Sequence, residues 1–208
     1  TRSVLAQPVR DALDVEGASL SKRAAVRLPA DVQYAWPHPS KRYLYVAASN
    51  GGPFAAGDRH YACAFRIDKS GALHEHGGAH ELPSRPLHIS LDASGSIAMI
   101  TYNVPGRVTV HRIEADGTIG ARVEQVGDLD FGIYPHQMLM MPDNCGAILV
   151  TRGNDARRDK PEDPGALKLF DMRDGVLANR GSIAPGGGFG FGPRHLDFHP
   201  SRPWVYVS

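Results

Sequence analysis

Two short stretches of this sequence combine residues that could move a proton and hold an anion. One is Tyr134-Pro135-His136-Gln137 and the other is Gly192-Pro193-Arg194-His195-Leu196. An imidazole titrates near neutral pH, so His136 could serve as general acid or base. A guanidinium is always charged and presents a planar fork, so Arg194 could hold a carboxylate or a developing oxyanion. The same residue types also make contacts between packed sheets, and the residues alone leave that use open. For His195, such packing is the favoured use. Arg85 and His88 sit in a matching stretch, Arg85-Pro86-Leu87-His88, and could contact the same substrate. In Arg152-Gly153-Asn154-Asp155, Arg152 could hold an anion, while Asn154 and Asp155 also suit a turn capped by its own side chains.

The elements that would position these residues form a repeat. Residues 31–48, 85–102, 134–151 and 192–208 each read as apolar strand, tight turn, apolar strand. Aligned on their turns at Pro39, Ala93, Pro142 and Pro200, they recur at intervals of roughly 50 to 60 residues. That period suits a four-stranded propeller blade. Behind each of the first three pairs comes a polar loop, an alternating run, a glycine-containing turn and a fourth strand. The runs are Tyr61 to Ile67, Arg107 to Ile113 and Ala166 to Asp171, and the turns end at Gly71, Gly117 and Gly175. Asp-Gly between alternating runs is a hairpin signal. The expected fold is all-β, a β-propeller of four-stranded antiparallel blades over 31–84, 85–131 and 132–190, with an incomplete blade over 191–208. Residues 1–30 form an N-terminal segment of little pattern. In it, Val9 to Leu20 reads as weakly helical and Ala24 to Leu28 as a short strand.

In such a blade the first strand lines the central channel. The loops leading into first strands, and those joining second to third strands, then share one rim. This gathers Arg85, His88, Asn103, His136, Arg152, Asn154 and Arg194 around the channel mouth, a default place for a binding site. A partial ring leaves raw strand edges. Sequence beyond Ser208, or another chain, is therefore expected to complete it.

Composition narrows the partners. Lys and Arg total 23 against 22 for Asp and Glu, a net charge of +1. Neither nucleic acid nor a membrane surface is indicated, and no apolar run is long enough to span a bilayer. No signal-peptide pattern is visible. Cys63 and Cys145 read as buried, reduced thiols on strands, so the cytoplasm is the expected compartment. His74-Glu75-His76 with His80 matches no closed zinc pattern. The run Pro185 to Gly192 is glycine-rich but lacks the Lys-Ser/Thr of a phosphate loop, and reads as a flexible rim loop. No Ser or Cys stands in a nucleophile-elbow context.

The two opening motifs, with His199-Pro200 and the long loop from Thr151 to Gly165, resemble signature segments of the lactonase family of seven-bladed propellers. That family includes propeller-type 6-phosphogluconolactonases and 3-carboxy-cis,cis-muconate lactonizing enzymes. The resemblance runs over about residues 31–208 and implies three and a half blades of a seven-bladed ring. It implies cofactor-independent ring opening or closure on a small anionic lactone or carboxylate, with no metal. His136 and Arg194 match positions proposed as catalytic in the muconate-cyclising members; a further Glu and Arg are expected beyond Ser208. Arg85, His88, Arg152, Asn154 and His195 are the expected substrate contacts. Two other uses stay open: a propeller that binds without catalysis, and a metal-dependent lactonase using Asn103, Asn154 and Asp155.

Overall fold

In the computed structural model the chain is described over residues 9–208. Three sheets of the expected kind follow one another. The first holds β3 (Asp31–Pro37), β4 (Tyr43–Ser49), β5 (His60–Ile67) and β6 (Leu73–Glu75), with β7 (His80–Glu81) also paired to β5. The second orders β8 (Pro86–Leu91), β9 (Ile97–Asn103), β10 (Gly106–Ile113) and β11 (Ile119–Val123). The third orders β12 (Pro135–Met140), β13 (Gly146–Thr151), β14 (Ala166–Arg173) and β15 (Val176–Ile183). A two-stranded sheet, β16 (Leu196–Phe198) with β17 (Val205–Val207), comes last. All pairings are antiparallel.

Period-two alternation explains why β9 and β13 read as unbroken apolar runs: both faces of each are buried. Ala98, Ile100 and Tyr102 of β9 pack toward the first sheet, against Tyr45, Ala47 and Ala62. Ile97 and Met99 face the third sheet, against Met138, Leu149 and Phe170. Ile148 and Val150 of β13 turn the other way, toward Leu196. Small alanines on β4 and β5 let neighbouring sheets approach closely.

Three expectations are corrected. Of the N-terminal segment, residues 1–8 lie outside the described residues, and the weakly helical stretch is an antiparallel hairpin of β1 (Val9–Asp14) and β2 (Ser19–Ala25). The Gly17 amide donates to the Asp14 carboxylate at 2.9 Å and Ala18 takes a left-handed φ of 45°, so the chain reverses where a helix would have continued. Cys63 is buried on β5, and its thiol is pushed up to about 11 by burial. Cys145 is exposed in the turn before β13. The glycine-rich run is anchored at two points: the Gly165 amide donates to the Gly188 carbonyl, and the Gly190 amide donates to the Glu162 carboxylate.

Candidate active site

The inner strands share a feature that places the candidate residues. Pairing skips one residue at the start of each: Gln33 in β3, Leu87 in β8 and His136 in β12. Ahead of β16, the amides of Arg194 and His195 both donate to the Ser208 carbonyl, so two residues again oppose one. Each is a β-bulge, which bends the strand and re-aims the extra side chain. The four residues Gln33, Leu87, His136 and Arg194 stand at one offset from the aligned turns. His136 and Arg194 are therefore equivalent positions of successive sheets, both delivered at the rim.

The His195 ring lies edge-on to His136 at 4.9 Å between centroids, a contact between the third sheet and the last. Tyr134 lies nearly parallel to His136 at 6.2 Å. The His136 carbonyl accepts a bond from the Thr101 hydroxyl at 2.8 Å, which ties the bulge to β9. Arg194 is exposed and forms no ion pair among the described residues.

Beside this group the rim encloses a cavity of about 860 Å³. Arg85, Asn103, Tyr134, Arg152, Asn154, Asp155 and Arg157 line it. The loops after β4, β9 and β13 and the lead-ins to β8 and β12 all contribute, as the blade order requires. Arg152 pairs with the exposed Asp155, whose carboxyl it holds below the usual range. Asn154 donates to the Asp163 carboxylate at 2.8 Å. Arg85 donates from Nε to Gln33 Oε1 at 2.9 Å, leaving its outer nitrogens for a ligand. Three guanidinium groups thus face one carboxylate in the cavity wall, an excess of positive charge suited to an anion.

His88 is not brought to the mouth. It is 1% exposed, packed under Tyr34 at 4.1 Å and against Trp36, and burial pushes its imidazole down to about 3. Gln137, which the sequence did not single out, reaches it: the amide nitrogen donates to His88 Nε2 at 3.3 Å, and Oε1 accepts from the Leu196 amide at 2.6 Å. His74, His76 and His80 disperse to Asp68, to the Asp116 carbonyl and to His111.

Residues 9–208 match the family model described as "Lactonase, 7-bladed beta-propeller". The chain belongs to this family. A curated 6-phosphogluconolactonase of Pectobacterium atrosepticum is 29% identical over 189 residues, covering 90% of this chain and 50% of that protein. One from Bacillus subtilis is 28% identical over 206 residues, covering 94% and 53%. The chain thus spans about half the length of the curated relatives it matches. Among solved structures, a protein from Lactobacillus plantarum superposes with a TM-score of 0.67 at 21% identity, over 96% of this chain and 55% of that one. A periplasmic gluconolactonase of Pseudomonas aeruginosa gives 0.60 at 18%, over 95% and 70%. These two likenesses concern the fold.

The chemical state of the site in this lactonase-family chain follows from burial and charge. Burial pushes the His136 imidazole down to about 4; His195 and Arg194 add repulsion, and the Arg194 carbonyl partly opposes them. At neutral pH the ring is therefore uncharged, with a nitrogen free to take a proton. His136 Nδ1 is buried without a partner.

Proposed function

We propose that this chain supplies the anion-holding and proton-moving part of a lactonase that hydrolyses a sugar lactone bearing a phosphate or carboxylate. The observation that carries the reading is an uncharged, half-buried His136 stacked on Tyr134, a ring that lines the same cavity as Arg85, Arg152 and Arg157. On this reading His136 takes a proton from water as its oxygen bonds to the lactone carbonyl carbon. Arg194 holds the oxyanion. The ring C–O bond then breaks, the proton passes from His136 to the ring oxygen, and the hydroxy acid leaves. The cavity arginines grip the remote anion, which orients the carbonyl. None of these steps calls on a cofactor.

The names of the sequence relatives favour hydrolysis over carboxymuconate cyclisation. The remaining blades of the ring, from further sequence or another chain, complete the channel wall. Two free cysteines fit a reducing compartment such as the cytoplasm. The test is an assay of the full protein with 6-phosphogluconolactone and with 3-carboxymuconate. Rapid opening of the first supports the reading. Turnover of the second alone replaces hydrolysis with cyclisation, and turnover of neither leaves an anion-binding platform.

A further inference from the structure

Tyr134 enters the left-handed region, with φ of 60°. Bulky residues rarely adopt that backbone, which persists only where the surroundings enforce it. The other non-glycine residues of positive φ among those described are Ala18, Lys41, Asn144 and Asp174. All four sit in turns between paired antiparallel strands, where such backbone closes a hairpin. Tyr134 closes no hairpin; it stands just ahead of β12.

The chain contains its own comparison. The same position ahead of β16 is Gly192, with φ of 43°, and a proline follows in both cases. The fold therefore takes left-handed backbone at this place in two successive sheets, and glycine supplies it in one without strain. What Tyr134 adds over glycine is a ring. That ring has the Arg152 guanidinium 5.5 Å from its centroid on one side of the site and lies nearly parallel to His136. The backbone around it is fixed from the next strand: the Arg152 amide donates to the Tyr134 carbonyl and the Gly153 amide to the Ile133 carbonyl, each at 2.9 Å. Tyr134 also lines the cavity.

We propose that Tyr134 is a positioning residue. Its ring, held on strained backbone, sets the distance between the Arg152 guanidinium and the His136 imidazole, and so between a bound anion and the carbonyl to be opened. The identity of the reaction rests on the lactonase reading above; the geometry does not.

The test uses the full protein with Tyr134→Gly and Tyr134→Phe. Three quantities need no lactone: the melting temperature, the affinity for inorganic phosphate by calorimetry, and the titration of the His136 ring by NMR. Glycine removes both strain and ring, so the melting temperature should hold or rise. Phosphate affinity should fall about threefold, the size of one cation–π contact. The His136 pKa should climb from about 4 as water reaches the ring. With lactone, kcat should fall more than KM rises. Tyr134→Phe should restore all four.

A melting temperature lowered by more than about 5 °C in Tyr134→Gly overturns the strain argument. An unchanged His136 titration with unchanged phosphate affinity overturns the positioning role. A wild-type protein that opens no lactone and binds no phosphate counts against the proposed function, while the melt and the His136 titration still decide this inference.

Discussion

The two rims of the propeller use the same polar residue types to opposite ends. On the rim formed by the hairpin turns, carboxylates are closed off by their own turns. Asp68 accepts from the Ser70 amide and hydroxyl, the Ala72 amide and His74. Asp92 accepts from Ser94, the Ile97 amide and Asn144 of the neighbouring turn. Asp116 takes both donors of Thr118. On the opposite rim, three arginines share a cavity with one paired carboxylate, and Ser84, Arg107 and His136 each bury a polar atom without a partner, as His88 and His111 do within the sheets. A fold that satisfies one rim so fully leaves the other unsatisfied for a reason, and a ligand is the simplest one.

The largest expected difference between the rims is chemical. His136→Ala should lower kcat by about 10²- to 10⁴-fold, the usual contribution of a general base, with KM little changed. Steady-state kinetics of the full protein on the proposed lactone substrate check this; full activity in the variant would remove His136 from the mechanism. The turn rim should respond in the other currency. Asp92 is 4% exposed, and against the upward push of burial its hydrogen bonds hold the carboxyl below the usual range. Asp92→Ala should cost about 2–3 kcal/mol in urea unfolding, as expected for losing bonds to a buried charge, and leave kcat and KM alone.

How much of this was legible beforehand depends on the kind of signal. The three four-stranded sheets were, because both faces of β9 and β13 are buried and their sequences say so. The rim on which Arg85, Asn103 and Arg152 meet was also legible, since strand order alone dictates it. The bulges were not. They show only as a common offset of Gln33, Leu87, His136 and Arg194 from the turns, and their residue types share nothing. Without them, the lead-in position of His88 placed it at the mouth, although its ring is buried. Gln137 was invisible for a related reason. Its two bonds join sheets that lie far apart in sequence, and a lone glutamine on an apolar strand carries no pattern.

Acid should act next, through the buried imidazoles. His88, His111 and His136 have folded pKa values of about 3, about 4 and about 4, below the ordinary 6.5. Above pH 6.5 neither the folded nor the unfolded chain is protonated at these rings, so stability is insensitive to them. Below 6.5 the unfolded chain takes up protons that the fold refuses, and stability drops until the folded values are passed. The slope approaches about 1.4 kcal/mol per pH unit for each ring. Urea midpoints between pH 7 and 4 check the direction; stability that rises on acidification would contradict the buried, neutral assignment. A smaller effect belongs to Arg157, which lines the cavity without an ion pair among the described residues. Arg157→Ala should raise KM about fivefold at unchanged kcat, because it grips a part of the substrate that does not react.

The smallest effect tests the comparison from its other end. His74 Nε2 lies 2.7 Å from the Asp68 carboxylate, and both partners are solvent-accessible. Water screens such a pair and side-chain ordering offsets most of what remains. Asp68 also keeps its Ser70 and Ala72 donors when the imidazole is removed. His74→Ala should therefore leave both the melting temperature and the kinetics within measurement error. A loss of activity in His74→Ala would mean that the turn rim communicates with the mouth. The division of labour between the rims would then fail, because two histidines in contact with ionic groups would be distinguished by neither burial nor the state of their partners.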